Sequence, residues 1–357
     1  MGAINAKPLL KWAGGKRQLL PQLRRFYPAS FNRYIEPFFG SGAVFFDLHS
    51  AGRLRDHDVF LIDFNADLIG CYEMVRDAPE AVAQSLDELA AGHARDGQAH
   101  YYAMRDERFN PLRDRLRGVD GRVAYTPELA AMLIYFNRTG FNGLFRLNGR
   151  GAFNVPAGRY ERPAICDRAK LERVSRALAD TRVHLHYGSF EAALDIAARG
   201  DFLYIDPPYA PVSRTASFTS YTASRFTLSD HGRLQRRVIE LARRGCHVLV
   251  SNSTADEIAA LYDANAEARA AGLKAMRVPA RRAINSQAGR RGPVFEYLIT
   301  NAVDADPQGA GARRQPRDEA NAGGLASSRG GVRRRPATRV DGTAGTHTPS
   351  AGRLRTR

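Results

Sequence analysis

Short apolar segments alternate with amphipathic helices between residues 34 and 252, and this alternation constrains the fold more than any other feature. Residues 34–36, 59–63, 183–187, 202–206 and 247–252 are rich in aromatic or β-branched residues and end at Gly, Asp or Asn, as strands do. Between residues 227 and 244, Leu234, Val238 and Leu241 follow helical spacing, and Gly245 offers a stop. The pattern predicts an α/β fold with a doubly wound parallel sheet and helices on both faces.

The middle of the chain interrupts this alternation. Residues 73–163 are predicted to be mostly helical, with Thr126 as the cap of a helix over 129–137. Asn148-Gly149 and Gly151 then lie between apolar residues and predict a β-hairpin over 145–155. We therefore expect a domain inserted at 73–163, which divides the α/β domain into a first part, 1–72, and a second part, 164–303.

The last segment, 304–357, has a different composition. It is rich in Arg, Gly and Ala and contains no Phe, Tyr or Trp, so it cannot bury enough apolar surface to offset its ordering entropy. We predict a disordered tail. Its arginines, among them Arg313, Arg314 and 333–335, could contact DNA phosphates, and a solvated tail without function is an equal alternative.

Composition narrows the class of protein. Lys and Arg number 53 against 37 Asp and Glu, giving a net charge of +16 that favours a polyanionic partner, although a biased composition would produce the same excess. No apolar run is long enough to span a membrane, and the amino terminus lacks the pattern of a signal peptide. Three widely spaced cysteines predict neither a disulfide framework nor a zinc site and fit a reducing cytoplasm.

A first chemical motif is Lys-Trp-Ala-Gly-Gly-Lys at 11–16, ahead of a helix with apolar residues at 19, 20 and 23. Paired glycines before a helix let backbone N–H groups approach an anion, and Lys16 adds a positive charge. By itself the motif is also compatible with a plain turn.

A second motif is Glu-Pro-Phe-Phe-Gly-Ser-Gly at 36–42, where a predicted strand gives way to a helix. Ligands of open α/β sheets bind beyond the carboxyl ends of the strands, and Gly40 and Gly42 would let one lie against the backbone. Asp63 ends the next strand, where an acid typically accepts hydrogen bonds from ribose hydroxyls. A nicotinamide cofactor is disfavoured because the glycine spacing differs, and a purely structural turn stays open.

The third motif is Asp-Pro-Pro-Tyr at 206–209, at the carboxyl end of an apolar strand. An exocyclic amine is a poor nucleophile because its lone pair is delocalised into the ring. The Asp206 carboxylate and the Pro207 carbonyl could accept its two hydrogens and favour a geometry that frees the lone pair. The Tyr209 ring could stack on the base. This motif predicts chemistry on the amino group of a nucleobase.

Together these motifs resemble the Dam family of DNA adenine-N6 methyltransferases. Two further stretches share the resemblance: Phe-Asn-Arg-Thr-Gly-Phe-Asn-Gly-Leu-Phe-Arg at 136–146 and Phe-Asn-Val-Pro-Ala-Gly-Arg-Tyr at 153–160. Similarity covers roughly residues 7–303, and the order of the motifs is similar to the α arrangement of this family. The resemblance implies a methyltransferase fold that uses S-adenosylmethionine and double-stranded DNA.

The resemblance also implies roles for individual residues. S-adenosylmethionine would contact Trp12, Lys16, Asp63 and Asp206. The turn at 36–42 adds Glu36, Gly40 and Gly42 to the predicted cofactor-binding residues. DNA would contact Lys11, Phe141, Asn142, Leu144, Arg146, Pro156, Arg159 and Tyr160. Relatives of this type read GATC. Phe141 stands where an intercalating Tyr is usual, which keeps the stacking face and removes the hydroxyl.

These roles agree with physical reasoning about the insert. A hairpin fits the major groove, and Arg146 is suited to a bidentate contact with guanine. Phe141 could fill the gap that a flipped base leaves, and Asn142 could bond the orphaned partner. The loop 285–292, with Arg290 and Arg291, is a lesser candidate for phosphate contact.

We therefore expect a monomeric, bacterial, cytoplasmic enzyme that flips adenine out of the duplex and methylates N6 by direct transfer, without a metal or a covalent enzyme intermediate. A cytosine-N4 methyltransferase would need the same amine chemistry, but Asp206 in place of Ser favours adenine. A DNA-binding regulator without activity is the rival from another class, and the intact 206–209 motif argues against it. An RNA substrate has no supporting motif.

Overall fold

A computed structural model describes residues 5–212, 226–280 and 294–304. Its centre is a seven-stranded sheet with the order β3-β2-β1-β4-β5-β7-β6. The strands are β1 (Tyr34–Glu36), β2 (Val59–Asp63), β3 (Val183–Tyr187), β4 (Phe202–Ile205), β5 (His247–Ser253), β6 (Lys274–Ala280) and β7 (Val294–Thr300). All five predicted strands are confirmed, with ends that differ by one residue at most.

The order of the strands reverses between β1 and β4. β1, β2, β3, β4 and β5 pair in parallel, whereas β7 is antiparallel to both β5 and β6. The prediction of a parallel sheet is therefore wrong for this one edge, where a strand returns next to β5 instead of crossing over. The carboxyl ends of the parallel strands meet at one edge of the sheet, which is where ligands bind in open α/β folds.

Helices cover both faces of the sheet, as the alternation predicts. In chain order they are α1 (Leu20–Leu23), α2 (Ala43–Ser50), α3 (Ala66–Asp77), α4 (Pro79–Asp96), α5 (Gln98–Ala103), α6 (Asn110–Arg115), α7 (Pro127–Thr139), α8 (Arg168–Leu178), α9 (Phe190–Asp195), α10 (Leu228–Arg243), α11 (Asp256–Ile258) and α12 (Ala266–Ala270). A 3₁₀ turn (Lys16–Gln18) precedes α1, where the sequence predicted one helix, and a π-helical turn (Met104–Phe109) joins α5 to α6.

Successive strand residues enter opposite cores, because side chains alternate across a sheet. Leu61 belongs to the core that α1–α8 cover, and its neighbour Ile62 belongs to the core beneath α9–α12. Tyr204 and Ile205 divide in the same way. The fold is thus a doubly wound α/β arrangement, as the sequence predicts.

The predicted caps and hairpin are present. Thr126 accepts a hydrogen bond from the Leu129 N–H and caps α7. Residues 147 and 153 form an antiparallel bridge, and the Asn148 side chain accepts from the N–H groups of Arg150 and Ala152 inside the turn. Side-chain acceptance within the turn explains why Asn begins it.

A buried ion pair connects α3 to α6. The Arg113 guanidinium and the Asp67 carboxylate are 6% and 4% exposed and form two parallel hydrogen bonds. The Tyr125 hydroxyl donates to the same carboxylate at 3.0 Å, and Arg113 also donates to the Gly151 carbonyl at 2.7 Å. One guanidinium thus connects α3 and α6 with the turn of the hairpin.

The boundaries of the inserted domain at 73–163 stay a prediction. Residues 305–357, which include nearly all of the predicted tail, and the loop 285–292 lie outside the described residues. None of the helices in the described ranges is long and apolar enough to cross a membrane.

Candidate active site

Asp206 follows β4 at the carboxyl edge of the sheet. Its Oδ2 lies 2.8 Å from the Lys16 Nζ, and its Oδ1 accepts a 2.7 Å hydrogen bond from the Ser251 hydroxyl. Burial raises the pKa of the Asp206 carboxyl, whereas the Lys16 charge and the two hydrogen bonds act in the opposite direction. Lys16 and Ser251 thus favour the ionised carboxylate in a setting that would otherwise favour its protonation.

Lys16 brings the first motif onto the third. Its ammonium also donates to the Gly14 carbonyl at 2.5 Å and lies 4.5 Å from the centre of the Tyr209 ring. The side chain is 7% exposed, so its charge is compensated by these acceptors rather than by solvent. Two motifs far apart in sequence therefore form one site.

Polar residues of β5 and β7 hold the loop after β4 in place. The Asn252 side chain accepts from the Ala210 N–H at 3.2 Å, and the Ser253 hydroxyl donates to the Ala210 carbonyl at 2.6 Å. The Tyr209 hydroxyl donates to the Glu296 carboxylate at 2.7 Å. Sequence reasoning missed these residues, although the polar run Ser251–Ser253 at the end of an apolar strand was a usable signal.

The glycine turn lies beside Asp63. The Asp63 carboxylate accepts 2.9 Å hydrogen bonds from the N–H groups of Gly40 and Asn65, and burial raises its pKa to about 6. Gly40 has a φ of +50°, and a Cβ there would lie 3.3 Å from the Trp12 ring, so the turn and Trp12 approach closely. Phe64, which sequence reasoning also missed, is 62% exposed and stacks on Tyr187.

Two of the predicted cofactor residues, Glu36 and Gly42, have contacts inside the protein. Glu36 is 2% exposed, and its carboxylate accepts a 2.8 Å hydrogen bond from the Tyr34 hydroxyl. At Gly42, where φ is +69°, a Cβ would lie 2.4 Å from the Phe39 ring, so packing alone demands glycine. Both residues are thus fixed by contacts inside the protein, whereas Asp63 and Trp12 contact the turn at Gly40.

Asn137 joins the Lys11 segment to the turn that carries the predicted DNA residues Phe141 and Asn142. The Asn137 side chain accepts from the Lys11 N–H at 2.8 Å and donates to the carbonyls of Lys11 and Gly143 at 2.7 and 2.8 Å. The Lys11 ammonium lies 5.2 Å from the centre of the Tyr160 ring. Sequence reasoning left Asn137 without a role, because its partners become neighbours only in the folded chain.

Phe141 and Asn142 occupy an exposed turn. The Phe141 side chain is 50% exposed, and its N–H donates to the Pro156 carbonyl at 2.9 Å. Asn142 has a φ of +54°, a conformation in which Asn is one of the few tolerated side chains. The turn therefore presents an aromatic ring and an amide side by side to solvent.

The hairpin side chains differ in exposure. Arg146 donates to the Asn154 side chain at 2.8 Å and to the Asn154 carbonyl at 3.2 Å, so it is oriented within the protein. Leu144 is half-buried, whereas Pro156 and Arg159 are exposed.

Comparison with known proteins identifies the family. A family model described as D12 class N6 adenine-specific DNA methyltransferase matches residues 12–283. The chain belongs to this family. It is 38% identical over 301 residues to Type II methyltransferase M1.LlaDCHI of Lactococcus lactis subsp. cremoris, covering 84% of this chain and 96% of that one.

Two further relatives support the assignment of the chain to this family. Type II methyltransferase M.MjaIII of Methanocaldococcus jannaschii is 35% identical over 309 residues, covering 84% of this chain and all of its own. The DNA adenine methylase of Escherichia coli is 34% identical over 295 residues, covering 82% and 94%. The protein is an adenine-specific DNA methyltransferase, and its methyl donor is S-adenosylmethionine.

The residues at the sheet edge fit this donor. A nucleoside needs an acceptor for ribose hydroxyls and a flat apolar surface for its base, and Asp63 and the exposed Phe64 ring offer both at the end of β2. The Asp206 carboxylate offers negative charge to a sulfonium. In the described ranges no group of three or more His, Cys, Asp or Glu residues is arranged to hold a metal ion.

The Lys16–Asp206 pair predicts a pH effect on the D12-class enzyme. In Lys16→Met, loss of the ammonium raises the pKa of the Asp206 carboxyl further. As the pH falls, the carboxylate therefore becomes protonated at a higher pH than in the unaltered enzyme. The acid limb of the pH–rate profile should move upward by about 1–3 pH units, the effect of an adjacent opposite charge. Single-turnover methylation at saturating cofactor and DNA between pH 5 and 9 measures it.

Lys16→Arg is the matched control, since it keeps the positive charge and should leave the acid limb near its original pH. An identical acid limb in the Met and Arg variants would show that the charge of Lys16 does not set the ionisation of Asp206.

Proposed function

We propose that this methyltransferase modifies N6 of adenine within GATC in duplex DNA, by base flipping and direct transfer. The observation that carries the proposal is the fixed Asp206 carboxylate at the end of β4, next to the Tyr209 ring. One chain holds the cofactor side, the catalytic loop and the hairpin, so we propose that it acts as a monomer.

In the proposed mechanism the protein prepares the amine for attack. The Asp206 carboxylate and the Pro207 carbonyl accept the two amine hydrogens, which localises the nitrogen lone pair. Tyr209 stacks on the adenine ring. Glu296 fixes the plane of the Tyr209 ring by accepting a hydrogen bond from the Tyr209 hydroxyl. When bound, S-adenosylmethionine supplies an activated methyl group that the amine can take directly.

The cofactor would be held by residues at two strand ends. Asp63 would accept from the ribose hydroxyls, and Phe64 would stack on the cofactor base. Trp12, Lys16, Gly40 and Asp206 would line the rest of the site, and Glu36 and Gly42 would support the turn from the interior. The close approach of Trp12 to Gly40 supports this assignment.

Base flipping needs groups that replace the extruded adenine. Phe141, half-exposed on a turn that also presents Asn142, is suited to fill the gap in the stack. The Asn142 amide offers both a donor and an acceptor to the unpaired partner base. We propose that residues 73–163 form the recognition domain that carries this turn and the hairpin.

The assignment of GATC rests on four residues that match the pattern of the Dam family. Arg146 would contact the edge of a guanine, Leu144 and Pro156 a thymine methyl group, and Lys11 the outer base pair. The hydrogen bonds from Arg146 to Asn154 support this role, because an oriented guanidinium loses less entropy on binding.

Arg146→Ala should cost about 1–3 kcal/mol of discrimination and relax the preference at one guanine. Arg159→Ala is the comparison variant: this exposed cation, a proposed phosphate contact, should weaken all sites alike. The measurement is sequencing of modified bases in genomic DNA treated with each protein.

The same experiment tests the proposed function. Methyladenine confined to GATC with the unaltered enzyme supports the assignment, and methyladenine in another motif would refute GATC while leaving the catalytic mechanism standing. Equal sequence preference in Arg146→Ala and the unaltered enzyme would remove Arg146 from the reader.

A further inference from the structure

Four cations that the mechanism does not use converge beside the amino-terminal segment. Lys7, Arg17, Lys170 and Arg173 line a cleft of about 380 Å³ together with Asn5 and Asp167. We name these four side chains the basic cluster. Lys7 and Arg17 are exposed, whereas Lys170 and Arg173 on α8 are partly buried.

The topology places the basic cluster on the same side of the fold as the active site. Helix α8 leads into β3 through a short loop, so it runs antiparallel to the strand and begins near the carboxyl edge of the sheet. Lys170 lies in the first turn of α8. Arg17 directly follows Lys16, whose ammonium bonds Asp206.

The described part of the protein compensates the positive charge of the basic cluster only in part, since one carboxylate, that of Asp167, faces four cations. Among the described residues, none of its four cations forms a salt bridge with a carboxylate, whereas most exposed arginines on α8 and α10 do. Asp167 lies in the cleft, but its carboxylate caps α8 by accepting from the Lys170 N–H at 3.0 Å.

The cations also act on one another. Burial, and then the positive charges of Arg138 and Arg17, lower the pKa of Lys170 to about 8, and the negative charge of Asp167 offsets only part of this effect. Such mutual repulsion costs stability, and an anion placed among the side chains would relieve it. The amino terminus of α8 adds a partial positive charge at the same place.

We propose that the basic cluster binds phosphates of the DNA backbone outside the recognition sequence. The position of the cluster favours DNA as the anion. Lys7 and Arg17 flank the segment 11–16, which extends from Lys11, a proposed DNA contact, to Lys16, whose ammonium bonds the Asp206 carboxylate. The proposal rests on the proposed function, in which DNA lies along Lys11 and Tyr209. Contacts to phosphate carry no sequence information, so the cluster adds affinity and not specificity.

The test is the salt dependence of DNA binding by the full-length enzyme with Lys170→Gln and Arg173→Gln combined. Each phosphate contact contributes about 0.9 to the slope of log K against log salt, so the slope should become shallower by about 1.8. Fluorescence anisotropy gives this slope on a long duplex with one site and on a short duplex that barely exceeds it. The short duplex should show no change in slope.

The control variant is Arg236→Gln, which removes an exposed cation from α10 on the opposite face of the sheet. Its slope should equal that of the unaltered enzyme on both duplexes. A slope unchanged in the double variant on the long duplex would overturn the proposal. A loss of affinity that is equal at all salt concentrations and both lengths would also overturn it, since it would indicate altered folding.

The sequence of the methylated site is a separate readout. Methylation in an unexpected motif would refute the GATC assignment, whereas the slopes would still show whether the cluster contacts phosphate. Inorganic phosphate at millimolar concentration that competes equally with both duplexes would indicate a site for the free ion, and it would also overturn the proposal.

Discussion

Asp206→Ala is expected to reduce the rate of adenine methylation about 100- to 1000-fold at saturating DNA and S-adenosylmethionine, because loss of one preorganised acceptor costs about 3–4 kcal/mol in the transition state. Lys16 and Ser251 hold the carboxylate in place, so it needs little reorganisation when the amine binds. No other carboxylate among the described residues forms a salt bridge with Lys16.

The measurement is single-turnover incorporation of labelled methyl groups. Asp206→Asn is the companion variant: it keeps the volume and one acceptor and should fall between the Ala variant and the unaltered enzyme. A fluorescent adenine analogue at the target position should still be extruded by both variants. A turnover close to that of the unaltered enzyme in Asp206→Ala would refute the mechanism.

Arg113→Ala is expected to lower the free energy of unfolding by about 3–5 kcal/mol, the cost of leaving the other half of a buried ion pair uncompensated. The Asp67 carboxylate would keep only the hydrogen bond from Tyr125, and the Gly151 carbonyl would lose its bond to Arg113. Both side chains of the pair are nearly inaccessible, so solvent cannot hydrate the Asp67 carboxylate that the variant leaves behind.

Urea unfolding of the two variants Arg113→Ala and Arg122→Ala separates burial from charge. Arg122 forms a 3.2 Å ion pair with Glu73, and its own side chain is 56% exposed. An exposed pair of this kind is worth about 0–1 kcal/mol. Equal losses in the two variants would show that the environment of Arg113 is not what makes its pair important.

The sequence predicted what depends on local patterns. The apolar strands ending in Glu36, Asp63 and Asp206 were readable because strand composition, glycine turns and prolines act within a few residues. The same holds for the Thr126 cap and the turn at Asn148. The catalytic roles of the predicted site residues stay predictions.

What the sequence did not predict are contacts set by the order of strands in the sheet. Ser251 reaches Asp206 because β5 lies next to β4, and Glu296 reaches Tyr209 because β7 returns antiparallel beside β5. The Lys16–Asp206 pair likewise requires the amino-terminal segment to cross the edge of the sheet. Such pairings leave no periodic signal in one sequence.

Asn137 joins the proposed recognition domain, 73–163, and the amino-terminal segment around Lys11 into one mechanical unit. Its single buried amide ties the backbone of Lys11 to that of Gly143, so neither segment can shift while the other stays fixed. In a chimera that takes the proposed recognition domain from a relative, the docking of that domain would depend on which side chain it brings to this position and on how the host presents the Lys11 backbone. Chimeras that exchange 73–163 alone split this unit, whereas chimeras that carry 7–16 along with the insert transfer it whole.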